Sequence, residues 1–176
     1  MASQIERRTT TRSAIVSAAV HCYLEAGDID VSLDSIALEA GVAKATIIYH
    51  FGSRIGLLLA VADRLLSDFL ERLGPFSGFS NPKDAIRAYL EQALAPTARL
   101  FSQVGDALTS AGQIGIGLAQ ELLVESLRQS GVTGCPNVVA AAMQTMVRQI
   151  AFGYVDADGI DTFIAEISRA LEGSSS

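Results

Sequence analysis

Apolar residues in this chain return at intervals of three and four, and no stretch alternates polar and apolar as a half-buried strand does. The first run, Thr10 to Ala26, sets Ile15, Ala18, Ala19, Cys22 and Tyr23 along one side and predicts a helix, preceded by a polar arm over residues 1–8. Gly27-Asp28-Ile29-Asp30 reads as a turn. Two short helices follow, Ser32 to Ala40 and Ala43 or Lys44 to His50, with Gly41 between them. Gly52-Ser53 breaks the second and caps a long helix from Arg54 to Leu73. In that helix Ile55, Leu58, Leu59, Ala62, Leu65, Leu66, Phe69 and Leu73 keep the 3.6-residue period.

Beyond residue 73, Gly74 to Pro82 is dense in turn residues and predicts a loop. Asn81-Pro82 starts a helix to about Ala95, with proline at the favoured first position. Pro96 separates it from a helix over Thr97 to Ser110. A glycine-spotted segment leads to a helix ending near Ser130, and residues 131–136 form a loop. Two last helices are expected, Pro136 to about Tyr154 and Gly159 or Ile160 to Leu171, followed by a frayed tail. The fold class is all-α, divided into residues 1–53 and residues 54–176.

Residues 32–54 carry the sharpest local signals. Ser32 stands ready to cap the first turn, and Asp34 places negative charge where the helix dipole favours it. Gly41 can take the left-handed conformation that ends a helix, letting Val42 pack back. In the second short helix Ile47 and Phe51 share one side, which leaves Lys44, Thr46, Tyr49 and His50 facing outward. A helix-glycine-helix joint alone is common in all-helical proteins. A short exposed helix, a Phe-Gly-Ser stop and a following cation in this order are the layout of a helix-turn-helix, whose second helix enters a DNA major groove.

From about Arg12 to Leu58 the chain resembles the N-terminal domain of the TetR family of one-component transcriptional regulators. Arg12, Ile15, Ala18, Ala19, Gly27, Ser32, Ile36, Ala37, Ala40, Gly41, Val42, Lys44, Thr46, Phe51, Ser53, Arg54, Leu57 and Leu58 carry the likeness. It covers about a quarter of the chain, and the remainder fits by length and helical pattern. Three positions depart from the family pattern. Ala43 stands in place of a usual serine, which removes a natural N-cap at a cost of about 1 kcal/mol. Ile48 replaces a usual phosphate-reaching tyrosine, with Tyr49 beside it. Ile55 replaces a usual acid, and Gly56 offers Ser53 no capping-box partner. The resemblance implies a homodimer on a palindromic double-stranded DNA operator. Ser32, Tyr49 and Arg54 would hold phosphates, and Lys44, Thr46 and His50 would meet base edges or nearby phosphates.

Charge complicates this expectation. The chain carries a net −6. Residues 1–66 come close to balance, with six cations against seven carboxylates, so most of the excess lies further on. Phosphate contact depends on local cations, which fall in the N-terminal arm, the second short helix and the start of the long helix. So few cations predict modest non-specific affinity and a shallow salt dependence.

The remaining chemistry mostly excludes. No apolar run reaches the roughly 18 residues of a membrane span, and the polar N-terminus does not read as a secretory leader. Cys22 and Cys135 form no metal spacing, so the expected compartment is a reduced cytoplasm. Gly112-Gln-Ile-Gly115-Ile-Gly117 lacks the strand and the Lys-Ser/Thr of a phosphate loop, and Asp156-Ala-Asp158-Gly159 lacks calcium-loop spacing. No nucleophile elbow, His-Glu-x-x-His or histidine cluster is present. Neither an enzyme nor a bound metal or cofactor is expected.

The second part carries a subtler pattern. Tyr89, Gln92, Phe101, Gln120, Met143 and Met146 mix aromatics, methionines and amides on helices expected to face inward. Such a lining suits a small, mostly apolar effector, although aromatics and methionines at helical spacing are more often plain core. Val139, Met146 and Ile150 on one final helix, with Ile160, Phe163 and Ile167 on the other, form apolar stripes expected to pair two copies in a four-helix bundle. The function these features imply is an effector-released repressor. The alternative is a helical ligand-binding or protein-docking module that no longer binds DNA.

Overall fold

The computed structural model describes residues 4–73, 81–112, 123–125, 127–128 and 136–173. All regular structure among them is helical: α1 (Gln4–Ala26), α2 (Leu33–Glu39), α3 (Lys44–Phe51), α4 (Arg54–Leu73), α5 (Pro82–Glu91), a 3-10 turn (Gln92–Leu94), α6 (Pro96–Ser110), α7 (Pro136–Ala151) and α8 (Ala157–Gly173), with further helical residues at 123–125 and 127–128. Among the described residues no single helix is long and apolar enough to cross a membrane.

Local chemistry sets most boundaries. Ser32 caps α2 by accepting from the Ser35 amide, and Asn81 caps α5 by accepting from the Asp84 amide, with Pro82 in the first turn. Pro96 opens α6 in the same way. Four boundaries differ from the sequence expectation. α1 begins at Gln4 and absorbs most of the expected polar arm, because helical backbone bonding does not require an apolar stripe. The helix from Pro82 tightens into a 3-10 turn at Gln92 before the proline. α7 stops at Ala151, where the chain turns through Gly153, and Asp156 then caps α8 by accepting from the Gly159 amide, so that helix begins at Ala157. The glycine-spotted segment beyond Gly112 and the loops at 74–80 and 131–135 lie outside the described residues.

Two hydrophobic clusters hold the helices together. The first gathers Ile15, Ala19 and Tyr23 of α1, Ile36 and Ala37 of α2, Ile47 and Phe51 of α3, Leu57, Leu58, Val61 and Leu65 of α4, and Leu100, Val104 and Leu108 of α6. The second joins Ala85, Ile86 and Leu90 of α5, Leu123, Val124 and Leu127, Val139, Ala140, Met143 and Ile150 of α7, and Ile160 and Ile164 of α8. Each fully buried Leu or Ile contributes about 1.5–3 kcal/mol relative to an exposed one. α6 faces both ways. It packs into the first cluster, donates from Gln103 to the Gly27 carbonyl, and holds Arg148 of α7 through a two-pronged pair with Asp106 at 2.6 and 2.7 Å.

One polar group in the first cluster is unsatisfied. Tyr23 is 1% exposed, burial pushes its phenol pKa up, and its hydroxyl has no hydrogen-bond partner. An orphaned buried hydroxyl costs about 1–3 kcal/mol of desolvation. Tyr23→Phe should therefore raise stability by about 1 kcal/mol, read as a later urea midpoint at unchanged slope; a lower midpoint would mean that the hydroxyl contributes a bond to the folded state.

Candidate nucleic-acid interface

The candidate site is built on α3, a helix of only two turns. Isolated helices of this length are not stable in water, so tertiary contacts decide where it sits. Ile47 is fully buried and Phe51 is 9% exposed, one turn apart on the inward side. Its two ends are fixed by turns. Before it, Gly41 adopts φ +64°, a conformation that suits glycine, and the Val42 amide donates back to the Ala37 carbonyl. After it, the α3 C-terminus lies so close to α4 that a Cβ on Gly56 would sit 1.9 Å from the Phe51 carbonyl oxygen. Ser53 caps α4 by accepting from that same Gly56 amide. As expected, Ala43 precedes α3 without a side-chain cap.

Arg12 reaches across from α1 to finish the clamp. Its guanidinium donates to the His50 carbonyl at 2.7 Å and lies 4.4 Å from the Phe51 ring centroid. It thus satisfies one of the open carbonyls at the α3 C-terminus with a positive charge where the helix dipole favours one. The outward side of α3 presents Ala45 and Tyr49, with Tyr49 70% exposed, flanked by Ile48 at 41% and half-buried Thr46. Arg8 from the start of α1 lies 5.5 Å from the Tyr49 ring centroid, close enough for a cation–π contact. Tyr49 and His50 meet edge to face.

The six residues expected to contact DNA are not placed alike. Ser32 is exposed but engaged as the α2 cap, and its hydroxyl also lies 2.8 Å from that of Ser35. Lys44 is exposed at the start of α3 and pairs with Asp34 at 2.8 Å. Thr46, Tyr49 and His50 share α3 as expected, with His50 half-buried. Arg54 turns inward. Its guanidinium donates to the carbonyls of Val31 (2.7 Å) and Ile29 and lies 3.6 Å from Asp30, tying the first turn of α4 to the loop before α2. Sequence reasoning missed this structural task, and it missed the places of Arg8 and Arg12 beside α3. A signal for these two was present: once α1 extends back to Gln4, Arg8 and Arg12 stand one turn apart along the same helix.

Comparison with known proteins places this arrangement. The profile of bacterial regulatory proteins of the tetR family matches residues 15–61. Over 98 residues, 53% of this chain, it is 32% identical to TtgW of Pseudomonas putida, an uncharacterized HTH-type transcriptional regulator, and covers 71% of that protein. The chain belongs to the TetR family. The same length of chain is 32% identical to the HTH-type transcriptional regulator SrpR of Pseudomonas putida but covers 45% of it, so the match spans just under half of that relative. The fold is also that of the multidrug binding protein EbrR, solved with imidazole, at a TM-score of 0.78 and 18% identity over 96% of this chain and 94% of EbrR. The all-α TetR fold expected from residues 12–58 is therefore the fold found, and the family is one of regulators rather than enzymes.

The residues expected in an effector pocket separate. Tyr89, Met143 and Met146 gather in the second cluster, where Phe69 meets Tyr89 edge to face at 5.2 Å. Tyr89 is half-buried as a residue, yet burial alone pushes its phenol up to about 12. Gln92 accepts from Arg72 at 3.1 Å, Phe101 packs against the first cluster instead, and Gln120 lies outside the described residues. A cleft of about 380 Å³ between α5 and α8 holds none of the six; Lys83, Arg87, Asp161 and Arg169 line it together with Ile164, Ala165 and Ser168, so its wall mixes charge with apolar carbon.

The expected dimer stripe needs correction at three of its six residues. Val139, Ile150 and Ile160 are 6%, 5% and 1% exposed and belong to the protomer's own second cluster, while Met146, Phe163 and Ile167 pack partly against it. An apolar stripe at helical spacing serves a core and an interface equally well, and here the core takes Val139, Ile150 and Ile160.

Arg54→Ala would leave two carbonyls without their charged donor. We expect a loss of about 2 kcal/mol in urea denaturation, given about 1.5–3 kcal/mol for hydrogen bonds to charged groups. Unchanged stability would return Arg54 to a purely surface role.

Proposed function

We propose that this protein is a DNA-binding transcriptional regulator, a repressor that acts as a homodimer on a palindromic operator and is released by a small, mostly apolar effector. The observation that carries the reading is α3: pinned on one side by Ile47 and Phe51, it offers Lys44, Ala45, Ile48 and Tyr49 to the surroundings, beside Arg8 of α1. A two-turn helix standing out from a three-helix head fits the wide groove of B-form DNA. The relatives' description as HTH-type transcriptional regulators supports it. Residues 1–53 form the DNA-binding head, and residues 54–176 the effector-binding and dimerisation part. The place of work is the cytoplasm, where the operator is. EbrR, a multidrug binding protein solved with imidazole, supports a ligand for the second part. The Tyr89–Phe69 pair with Met143 and Met146 supplies a fitting apolar wall.

For pairing two copies, the outward side of α7 replaces the buried stripe. Val138 is 67% exposed, and Ala141 and Thr145 follow it at helical spacing; Thr162 and Ala165 are exposed on α8. Small side chains there allow close helix approach in a two-fold bundle.

Selection from a random duplex pool tests the DNA reading. It should enrich a palindrome with half-sites one or more helical turns apart. Lys44→Ala should weaken binding and reduce the salt slope by about one. A pool that shows no enrichment overturns the reading. Sedimentation equilibrium tests the assembly: the native chain should be dimeric, and Val138→Asp with Ala141→Asp should yield folded monomers. A monomeric native chain, or a variant that stays dimeric, removes this face from the interface.

A further inference from the structure

We infer that the head reads thymine through its C5 methyl group, and that Ile48 is the residue that does so. This rests on the DNA-binding reading above and narrows it to the chemistry of the base edge recognised.

The inference begins with what α3 lacks. Side chains that read a base edge with two hydrogen bonds are Arg and Lys for guanine, and Asn and Gln for adenine. From Lys44 to Phe51 there is no Arg, Asn or Gln. Lys44 is the one candidate on this helix, and its ammonium sits 2.8 Å from Asp34 Oδ2 on α2. The cations nearest the helix have other tasks: Arg12 holds the His50 carbonyl, and Arg54 holds the carbonyls of Val31 and Ile29. Arg8 lies against the Tyr49 ring, at the edge of the surface and suited to a phosphate.

With Thr46 and His50 half-buried, most of what α3 exposes beyond Lys44 is apolar or aromatic. Ala45 and Ile48 are one turn apart, as are Ala45 and Tyr49, so the three form one outward patch. Ile48 stays 41% exposed although Ile47 beside it is fully buried, because the helical period turns it away from the core. The only apolar group on a major-groove base edge is the thymine C5 methyl. A patch of alkyl carbon, bordered by Arg8 and Lys44 for the phosphates on either side, is complementary to a groove that presents that methyl. It also fits a chain of net −6, which has little general attraction for DNA and needs contacts that water does not favour.

The test uses the full chain and the duplex enriched from a random pool, synthesised once with thymine and once with uracil. Uracil keeps the pairing and the O4 acceptor and removes only the methyl. The native chain should bind the uracil duplex about fourfold more weakly for each half-site methyl lost, hence more than about tenfold for a two-fold site. Ile48→Ala, an exposed substitution whose fold is checked by its thermal transition, should bind both duplexes within about twofold of each other. Equal affinity of the native chain for the two duplexes overturns the inference while leaving DNA binding intact. A thymine preference that survives in Ile48→Ala assigns the methyl to another residue and overturns the role of Ile48. Failure to bind any duplex overturns the DNA-binding reading, and this inference falls with it.

Discussion

Burial of Ile47 and Phe51 is the contact on which the candidate site depends. α3 is too short to persist alone, and it lacks the N-cap that Ser32 gives α2. Its orientation is therefore set by two side chains that enter the first cluster from one side. Once they are fixed, the helical period leaves Ala45 and Tyr49 no direction but outward. The clamp is reinforced where it would otherwise fray: Arg12 takes the His50 carbonyl, and Gly56 lets the start of α4 come up against Phe51. A side chain at position 56 would have to move one helix off the other. Gly56 thus matters for the space it leaves rather than for a missing capping partner.

The same first cluster explains how the second part of the chain can bear on the head. α4 gives its first half to this cluster and Phe69, near its far end, to the second. α6 lies against the first cluster and is gripped by α7 through Asp106 and Arg148. This exposed ion pair is worth little as stability, but it fixes a register between two helices. A ligand that favours one packing of α5, α7 and α8 would act on the head through α4 and α6 together, and only by as much as it prefers that packing.

Much of the head was legible in the sequence because its boundaries are local. Ser32, Gly41 and Gly52-Ser53 each act on their own backbone or the next turn, as Asn81-Pro82 and Pro96 do further along, and each element begins or ends where they stand. The family likeness includes three of them, Ser32, Gly41 and Ser53. What could not be read were long-range choices. Nothing near Arg54 says whether its guanidinium meets a phosphate or the carbonyls of Ile29 and Val31, more than twenty residues away. Nothing in the stripe Val139, Met146, Ile150 says whether a second copy or the chain's own α5 and α8 will cover it, since both demand the same period. Phe101 and Tyr89 looked equivalent and joined different clusters, because the path of α6 back to the head is a property of the fold.

Charge and burial together constrain how such a head can discriminate among DNA sequences. Most binders gain affinity from many free cations and specificity from a few bidentate side chains. Here Arg12 and Arg54 are engaged in holding the head together, and Lys44 is paired with Asp34, which would accompany it to a bound duplex. A carboxylate in that position repels phosphates at every register, so non-specific binding is penalised wherever the groove offers nothing in return. Under the proposed reading, only a site that pairs Lys44 with a better partner than Asp34, and covers the alkyl patch, would recover the loss. On such a surface, weak general attraction increases the ratio of specific to non-specific binding, and that ratio, rather than affinity alone, determines occupancy among competing sites.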